Sequence, residues 1–382
     1  MSHLYLHIPF CKQACHYCDF HFSTSQKNRK EILQAMMMEL NLRKEEIAGR
    51  ILETIYFGGG TPSQLSIGEL KFIFDEIDKH FSIAENAEIT LEANPDDLSN
   101  SYLKNLRSTP LNRLSIGIQS FRDEDLKLMN RAHTSKEAES VVMRAQDAGY
   151  ENLTVDLIYG IPGLDENAWE KNLDKINELG IPHLSSYCLT VEPKTALAQF
   201  VKSGKFSPVD DELASKHFHQ LIQFAKENKF DHYEISNFAK RGFIAKHNSS
   251  YWFGESYLGI GPSAHSFDGI VRRWNVSNNM KYLNAISIGG KSFEEEVLTE
   301  NESYNEFVMT HLRTMWGIST KELKEKFEKK YFDHFTSESE KWISSGDLSE
   351  GTSSEENKSG TFTLTDKGKL IGDRIASDLF MV

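Results

Sequence analysis

Three cysteines crowd one short stretch, Tyr5-Leu-His-Ile-Pro-Phe-Cys11-Lys-Gln-Ala-Cys15-His-Tyr-Cys18-Asp-Phe, with the spacing C-x3-C-x2-C. Thiolates ligate iron–sulfur clusters, and they also ligate zinc. Three on one tight loop can hold three irons of a [4Fe–4S] cubane and leave the fourth iron without a protein ligand. Such an open iron can chelate the amino and carboxylate groups of an amino acid such as methionine. The same cysteines with a histidine, His16 or His21, can instead make a structural Cys3His zinc site. Spacing leaves both readings open, and the surroundings must decide, because a zinc knuckle needs no barrel behind it and a reactive cofactor does. A disulfide framework is not expected, since the chain has only 4 cysteines and three of them are clustered. The fourth, Cys188, sits in an apolar stretch and reads as a buried core thiol.

A second set of residues interrupts apolar runs. Gly58-Gly59-Gly60-Thr61-Pro62 follows one run directly, where glycine lets backbone approach a ligand closely. Others end in Glu92-Ala-Asn94-Pro95 and in Ser115-Ile-Gly117-Ile-Gln119-Ser120, and another carries Asp156 into Tyr159-Gly160-Ile-Pro162-Gly163. A buried carboxylate is costly unless paired or liganded. Glu92 and Asp156 suit ribose hydroxyls, Gln119 suits an adenosine or carboxylate edge, and Arg131 suits a carboxylate. Each alone is equally explained by capping or an internal salt bridge; together they form a ring. Further on, His247-Asn248-Ser-Ser-Tyr251-Trp252 offers an imidazole, a standard axial ligand of heme iron, and flat aromatics that pack on a porphyrin. Its alternative is structural, with Tyr251 and Trp252 packing a joint between domains and His247 as a polar cap. His265 is a second candidate ligand.

The elements that must position these groups alternate. Runs rich in β-branched and aromatic residues read as strands at 4–8, 54–57, 88–92, 113–118, 154–159 and 184–189. Helical spacing fills 29–48, 67–80, 135–148 and 166–178. Six such repeats predict an α/β fold: a parallel sheet with covering helices, curved into an open three-quarter β/α barrel with ligands at the C-terminal strand ends. Aromatics crowd 233–274, after which helices are expected at 303–316 and 321–330, a Ser/Gly/Glu-rich loop at 344–360, a strand at 361–364 and a last helix at 366–379 capped by Thr365. The expected division is a partial barrel over 1–230, an aromatic connecting segment over 231–290 and a smaller, mainly helical, winged-helix-like domain over 291–382.

The length of 382 residues, with 39% hydrophobic and 26% charged, suits one large and one small packed domain. A formal net charge of −13 repels phosphate backbones and speaks against nucleic-acid binding. No apolar run approaches the ~20 residues that span a bilayer. The N-terminus lacks the basic-then-apolar pattern of a signal peptide, so a cytoplasmic location is expected.

Taken jointly, Y-x-H-I-P-F-C-x3-C-x2-C, G-G-G-T-P, E-x-N-P, S-x-G-x-Q-S, N-R-x-H, D-L-I-Y-G-I-P-G, Y-E-I-S-N-F-A and H-N-x-x-Y-W resemble the radical S-adenosylmethionine (SAM) superfamily over nearly the whole chain. More narrowly they resemble the branch that holds oxygen-independent coproporphyrinogen III dehydrogenase and the heme chaperones of the HemW type. The resemblance implies a [4Fe–4S] cluster on Cys11, Cys15 and Cys18, and a SAM site lined by Tyr5, Tyr17, Gly59, Gly60, Thr61, Glu92, Gln119, Arg131 and Asp156. It implies that the reduced cluster cleaves SAM, and zinc recedes. Two features separate the branches. The dehydrogenases look longer before the first strand, and they commonly carry a further cysteine where Phe20 stands here. The H-N-x-x-Y-W match implies heme held near His247, Asn248, Tyr251 and Trp252, and passed to an acceptor hemoprotein. The alternatives are a coproporphyrinogen dehydrogenase and a scaffold that keeps cluster and SAM binding without turnover.

Overall fold

A computed structural model describes residues 2–47, 51–351 and 360–382. Six parallel strands lie side by side in chain order: β1 (Ser2–Ile8), β2 (Ile51–Gly59), β3 (Ser82–Ala93), β4 (Arg113–Gln119), β5 (Asn152–Tyr159) and β6 (His183–Cys188). Each alternates in character along its length. One face carries Leu4, Leu6 and Ile8, or Leu153, Val155 and Leu157, which pack beneath the covering helices with Met36, Leu70 and Val141 in one continuous core. Burying each such side chain contributes roughly 1.5–3 kcal/mol. The opposite face is polar: His3, Tyr5 and His7 on β1, Thr54 and Tyr56 on β2, Glu88 and Glu92 on β3. The helices Ile67–Asp78 and Ser135–Asp147 each start in a reciprocal capping box, Ser66 with Glu69 and Thr134 with Glu137. The helix expected over 29–48 spans Arg29–Arg43 and tightens into a 3-10 turn at Lys44–Glu46, and residue 48 lies outside the described residues.

The aromatic segment does not connect two bodies. It extends the sheet at both edges. Strands β7 (Phe230–Glu234) and β8 (Asn237–Lys240) add antiparallel to the β6 edge. Strand β9 (Tyr257–Ile260) pairs parallel with β1, and β10 (His265–Phe267), β11 (Val271–Asn275) and β12 (Phe293–Val297) continue antiparallel. The sheet order is β12-β11-β10-β9-β1-β2-β3-β4-β5-β6-β8-β7. Hydrogen bonding therefore carries the large unit through to Val297, past the boundary expected at residue 230.

The remainder has its own core, built on Tyr304, Phe335, Trp342 and Ile375. Its order is helix Glu300–Leu312, strand β13 (Ile318–Ser319), helices Thr320–Lys326 and Lys329–Ser344, and the pair β14 (Leu348–Glu350) and β15 (Thr361–Leu364). The three strands form a separate sheet, β13-β15-β14. The helix expected over 321–330 is two helices, the second running on to Ser344. The loop expected over 344–360 contains β14, and its residues 352–359 lie outside the described residues. The Thr365 hydroxyl accepts from the Gly368 N–H at 3.1 Å, but no helix starts at residue 366: a 3-10 turn (Gly368–Ile371), with Lys367 in its cap position, leads into the helix Gly372–Asp378. Among the described residues, no helix is long and apolar enough to cross a membrane.

Candidate functional site

A cavity of about 1090 Å³ opens at the C-terminal ends of the parallel strands. Gly59, Glu92, Gly117, Asp156 and Tyr187, one residue from each of five successive strands, line it. In a flat sheet the outer two of those strands would stand roughly 19 Å apart. They share one cavity, so the sheet curves around it.

The cysteine loop closes one side. Cys11, Cys15 and Cys18 all face the cavity, and all are free thiols. Two side chains aim donors at sulfur: the Thr61 hydroxyl donates to Cys11 Sγ at 3.3 Å, and the Arg131 guanidinium to Cys15 Sγ at 3.3 Å. Asn94 ties these donors together. Its amide donates to Thr61 Oγ1 at 3.3 Å, and its oxygen accepts from Arg131 at 2.7 Å. Arg131 is also held by the Gly117 carbonyl at 2.5 Å, yet its Nε is buried with no partner. Burial pushes the Cys11 thiol up to about 11 and the Cys18 thiol up to about 12. Cys11 and Cys18 stay protonated until a metal supplies positive charge, and the donors already directed at Cys11 and Cys15 then stabilise thiolates there. The histidines that a zinc site would recruit are engaged elsewhere. His16 Nδ1 bonds the Leu128 carbonyl at 2.7 Å, and His21 Nε2 bonds Asn279 Oδ1 at 2.7 Å. Among the described residues, no three His, Cys, Asp or Glu side chains converge on a single-ion position. Thiols that each bind a different iron need no such convergence. The donor set fits a cluster.

The glycine run packs against this loop from below. Gly60 donates to the Ile8 carbonyl at 2.8 Å and Thr61 to the Phe10 carbonyl at 2.7 Å. A Cβ at Gly60 would lie 2.7 Å from the Phe10 oxygen, and Gly59 takes φ +104° with no room beside the His7 ring. Only glycine fits, and backbone reaches the cavity wall there.

Two carboxylates share the cavity. Glu92 accepts from Tyr56 Oη at 2.8 Å, and Asp156 accepts from Ser115 Oγ at 3.4 Å. Burial, with the Asp156 charge adding to it, pushes Glu92 up to about 7 despite the Tyr56 bond. Burial pushes Asp156 up to about 6. Gln119 holds φ +69°, a left-handed conformation unusual for a residue with a side chain, at a register shift between β4 and β5. Tyr17, Gly60, Thr61 and Gln119 face the cavity together with these residues. Tyr5 does not line it. Its ring stacks on Tyr56 at 6.1 Å, one layer deeper. Sequence reasoning missed two members of this arrangement, Asn94 as the link between the thiol donors and Tyr56 as the Glu92 partner. Tyr56 was accessible from its inward phase between Thr54 and Gly58 on β2.

The far half of the cavity differs. Tyr187, Leu189, Phe218 and Ile235 give it apolar walls, and Arg313 and Arg374 reach it from beyond β12. Cys188, expected in the core, is half-buried and lines this half. Phe20, 69% exposed, stands at the rim beside Cys18.

The H-N-x-x-Y-W residues lie elsewhere. The helix Lys246–Trp252 closes the opposite, N-terminal end of the barrel, where the Glu88 carboxylate accepts from the Lys246 and His247 N–H groups at 3.0 and 2.9 Å. His247 is 1% exposed. Its Nδ1 bonds Thr54 Oγ1 at 2.6 Å and its Nε2 bonds Tyr251 Oη at 2.8 Å, so neither nitrogen is free for a metal. None of His247, Asn248, Tyr251 and Trp252 lines the cavity. The geometry favours the packing reading of this motif over an axial ligand. His265 is exposed on β10 and likewise does not line the cavity.

A curved parallel sheet with three thiols and a glycine turn at its C-terminal mouth defines a protein of the radical SAM class, and the profile described as Radical SAM superfamily matches residues 5–185. Among solved structures, the radical SAM enzyme coproporphyrinogen III oxidase (HemN) of Escherichia coli superposes with a TM-score of 0.85 over 100% of this chain and 90% of that one, at 22% identity. The fold is thereby shared. The heme chaperone HemW of Bacillus subtilis is 35% identical over 380 residues, 98% of each chain. That of Escherichia coli is 36% identical over 266 residues, 69% of each chain. Within the radical SAM class, the chain belongs to the HemW family.

Proposed function

We propose that this protein is a heme chaperone. It holds a [4Fe–4S] cluster on Cys11, Cys15 and Cys18 with SAM beside it, binds heme, and passes the heme to an acceptor hemoprotein. The cofactor half rests on one observation: two donors, Thr61 and Arg131, cross-linked by Asn94, are aimed at the sulfurs of Cys11 and Cys15. The heme half rests on kinship with proteins named heme chaperone HemW over nearly the full chain.

When bound, the cluster supplies an electron to the SAM sulfonium. The remaining work falls to the chain's own residues. Thr61 and Arg131 offset thiolate charge by charge-assisted hydrogen bonds. Gly59 and Gly60 let backbone approach the amino-acid end of SAM, while Glu92 and Asp156 in their ionised forms accept from its ribose hydroxyls. Gln119 and Tyr17 complete the wall and exclude water. The apolar far half, with Tyr187, Leu189, Phe218 and Ile235, suits a flat hydrophobic ligand whose carboxylates meet Arg374 at the edge. Exposed Phe20 stands where the dehydrogenases commonly carry a further cysteine, which favours the chaperone over that branch.

Anaerobic reconstitution, then titration with heme and with SAM, tests the reading. The expected result is about four irons and four sulfides per chain, a heme Soret band, and SAM binding that needs the cluster. Conversion of coproporphyrinogen III to protoporphyrinogen IX in the presence of SAM and reductant would replace this function with the dehydrogenase one.

A further inference from the structure

The H-N-x-x-Y-W helix touches neither the cysteines nor the cavity, yet its histidine lies against the side chain that holds Glu92. The His247 ring stacks on Tyr56 with centroids 4.9 Å apart and planes 20° apart. Tyr5 flanks the same pair, stacking on Tyr56 at 6.1 Å and on His247 at 6.4 Å. Beyond them, Tyr56 Oη donates to Glu92 Oε1 at 2.8 Å. His247 is itself locked at both nitrogens, to Thr54 and to Tyr251, and its helix is pinned by Glu88. The result is a rigid column of rings running from the closed end of the barrel to the cavity floor. The space around Glu92 is tight: a Cβ at Gly58 would meet Tyr56, Tyr5 and Glu92 at 2.9, 3.0 and 3.2 Å. Tyr56 therefore has little freedom apart from what His247 and Tyr5 leave it. At the other end of the same helix, Trp252 lies under the Arg313 guanidinium at 5.2 Å, and Phe253 packs on Trp316 at 4.8 Å.

From this juxtaposition we infer that His247 is a positioning residue for the SAM site and not a heme ligand: its ring fixes the Tyr56 phenol, and Tyr56 fixes the Glu92 carboxylate at the cavity wall. The inference rests on the reading that Glu92 meets SAM. It assigns the motif to the closed end of the barrel, acting on ligand binding from behind.

A hydrogen bond to a buried carboxylate both orients it and favours its ionised form. Removing the bond therefore has two consequences, weaker SAM binding and a binding profile displaced towards higher pH. The groups facing Glu92 are Tyr56 and the Gly59 N–H on β2, Tyr5 on β1, Asp156 on β5, Cys11 on the loop and Tyr251 on the helix. Of the side chains among them, Tyr56 alone donates to it.

The test uses the reconstituted full chain and three variants, Tyr56→Phe, His247→Asn and Glu92→Gln. SAM affinity is measured by calorimetry as a function of pH, heme binding by the Soret band, and folding by thermal melting. Tyr56→Phe keeps the stack and removes only the hydroxyl, so it reports even where His247→Asn folds poorly. The expected result is SAM affinity lowered about tenfold or more in Tyr56→Phe and His247→Asn, with the pH midpoint moved upward in both and the heme spectrum unchanged. SAM binding as in wild type for both, beside a weakened Glu92→Gln, overturns the inference alone. So does loss of the Soret band in His247→Asn with SAM binding intact. Undiminished SAM binding in Glu92→Gln overturns the reading of the site, and the inference with it.

Discussion

The barrel interior has two polar ends, and they are built to opposite rules. At the closed end the charged and ionisable groups are paired with one another. His3 bonds Thr54 at 2.9 Å and Glu255 at 2.6 Å; Glu88 holds the helix Lys246–Trp252 and lies 3.7 Å from Arg113. Arg113 bonds Thr154 at 2.5 Å, Thr154 bonds His183 at 3.1 Å, and His183 bonds Tyr233 at 2.7 Å. At the open end the pairing is incomplete. Arg131 Nε is buried without a partner, Glu92 and Asp156 are bonded to hydroxyls with their acid forms favoured, and thiols sit among donors suited to thiolates. Buried polar groups in a folded protein are normally satisfied. At the closed end the groups left over are neutral, among them the Ser249 hydroxyl and the Trp252 indole N–H, whereas at the open end a guanidinium N–H and two carboxylates with raised values are left for a ligand.

The largest effects should divide cleanly along this line. Replacing Cys11, Cys15 or Cys18 with Ser is expected to abolish cluster binding, with iron content near zero after reconstitution, while the melting curve of the apo-protein stays within a few degrees of wild type. A collapse of the fold in these variants would break the comparison, because it would make the thiols part of the packing. At the other end Arg113→Ala should do the reverse. It leaves Glu88 without its cation and Thr154 without its donor, and should cost about 3 kcal/mol in denaturant unfolding while thiol reactivity at the cysteine loop is unchanged.

The third prediction uses pH. Glu92 is held up to about 7, against an ordinary value of 4.5, so between those values the unfolded chain has lost a proton that the apo-protein keeps. Apo-protein stability from this group therefore falls as pH rises through that window, and SAM affinity, which needs the carboxylate, rises through it. Below pH 7 the affinity should drop by up to about tenfold per pH unit, steepening below about 6 where Asp156 also takes a proton. Glu92→Gln should flatten the upper part of the profile. A wild-type profile flat from about pH 5 to 8, a window set at roughly one unit beyond each value, would remove both carboxylates from the binding site.

The same contrast explains how much was legible in the sequence. The six central strands were, because apolar and polar residues alternate along each one and turn glycines punctuate their ends. Cys11, Cys15 and Cys18 were legible from their C-x3-C-x2-C spacing, and Glu92 and Asp156 because each interrupts an apolar run near the end of a strand. Strands β7 to β12 were not. They are three to five residues long, too short for a period-two pattern to stand out among aromatics. The helix Lys329–Ser344 was missed because its inward stripe of Tyr331, Phe335 and Trp342 is broken by the buried Ser339. The position of His247 could not be read at all. A polar residue in a connecting segment looks the same whether it faces a ligand at one mouth of a barrel or plugs the other. Only the pairing of its two ring nitrogens, which depends on Thr54 far away in sequence, separates the cases.

The smallest expected effect sharpens the contrast at a single residue. Gln119 closes β4 at the open end with φ +69°, where β4 and β5 slip register. A side chain in the left-handed region costs about 1 kcal/mol relative to glycine. The strain persists here because neighbours fix the backbone: Arg131 bonds the Gly117 carbonyl, and Ser120, the next residue, bonds Asp125 at 2.7 Å. His3, Thr54, Glu88, Arg113, Thr154 and His183 at the closed end lie instead on regular strand. Gln119→Gly should therefore relieve strain without opening a core cavity, because the side chain borders the ligand cavity. The expected outcome is an apo-protein more stable by up to about 1 kcal/mol in denaturant unfolding, with weaker SAM binding for want of the amide. Stability and affinity moving in opposite directions would mark Gln119 as strained for the ligand's sake. If both fall together, the amide has a structural partner in the folded chain, and the open end is more completely satisfied than the contrast with the closed end requires.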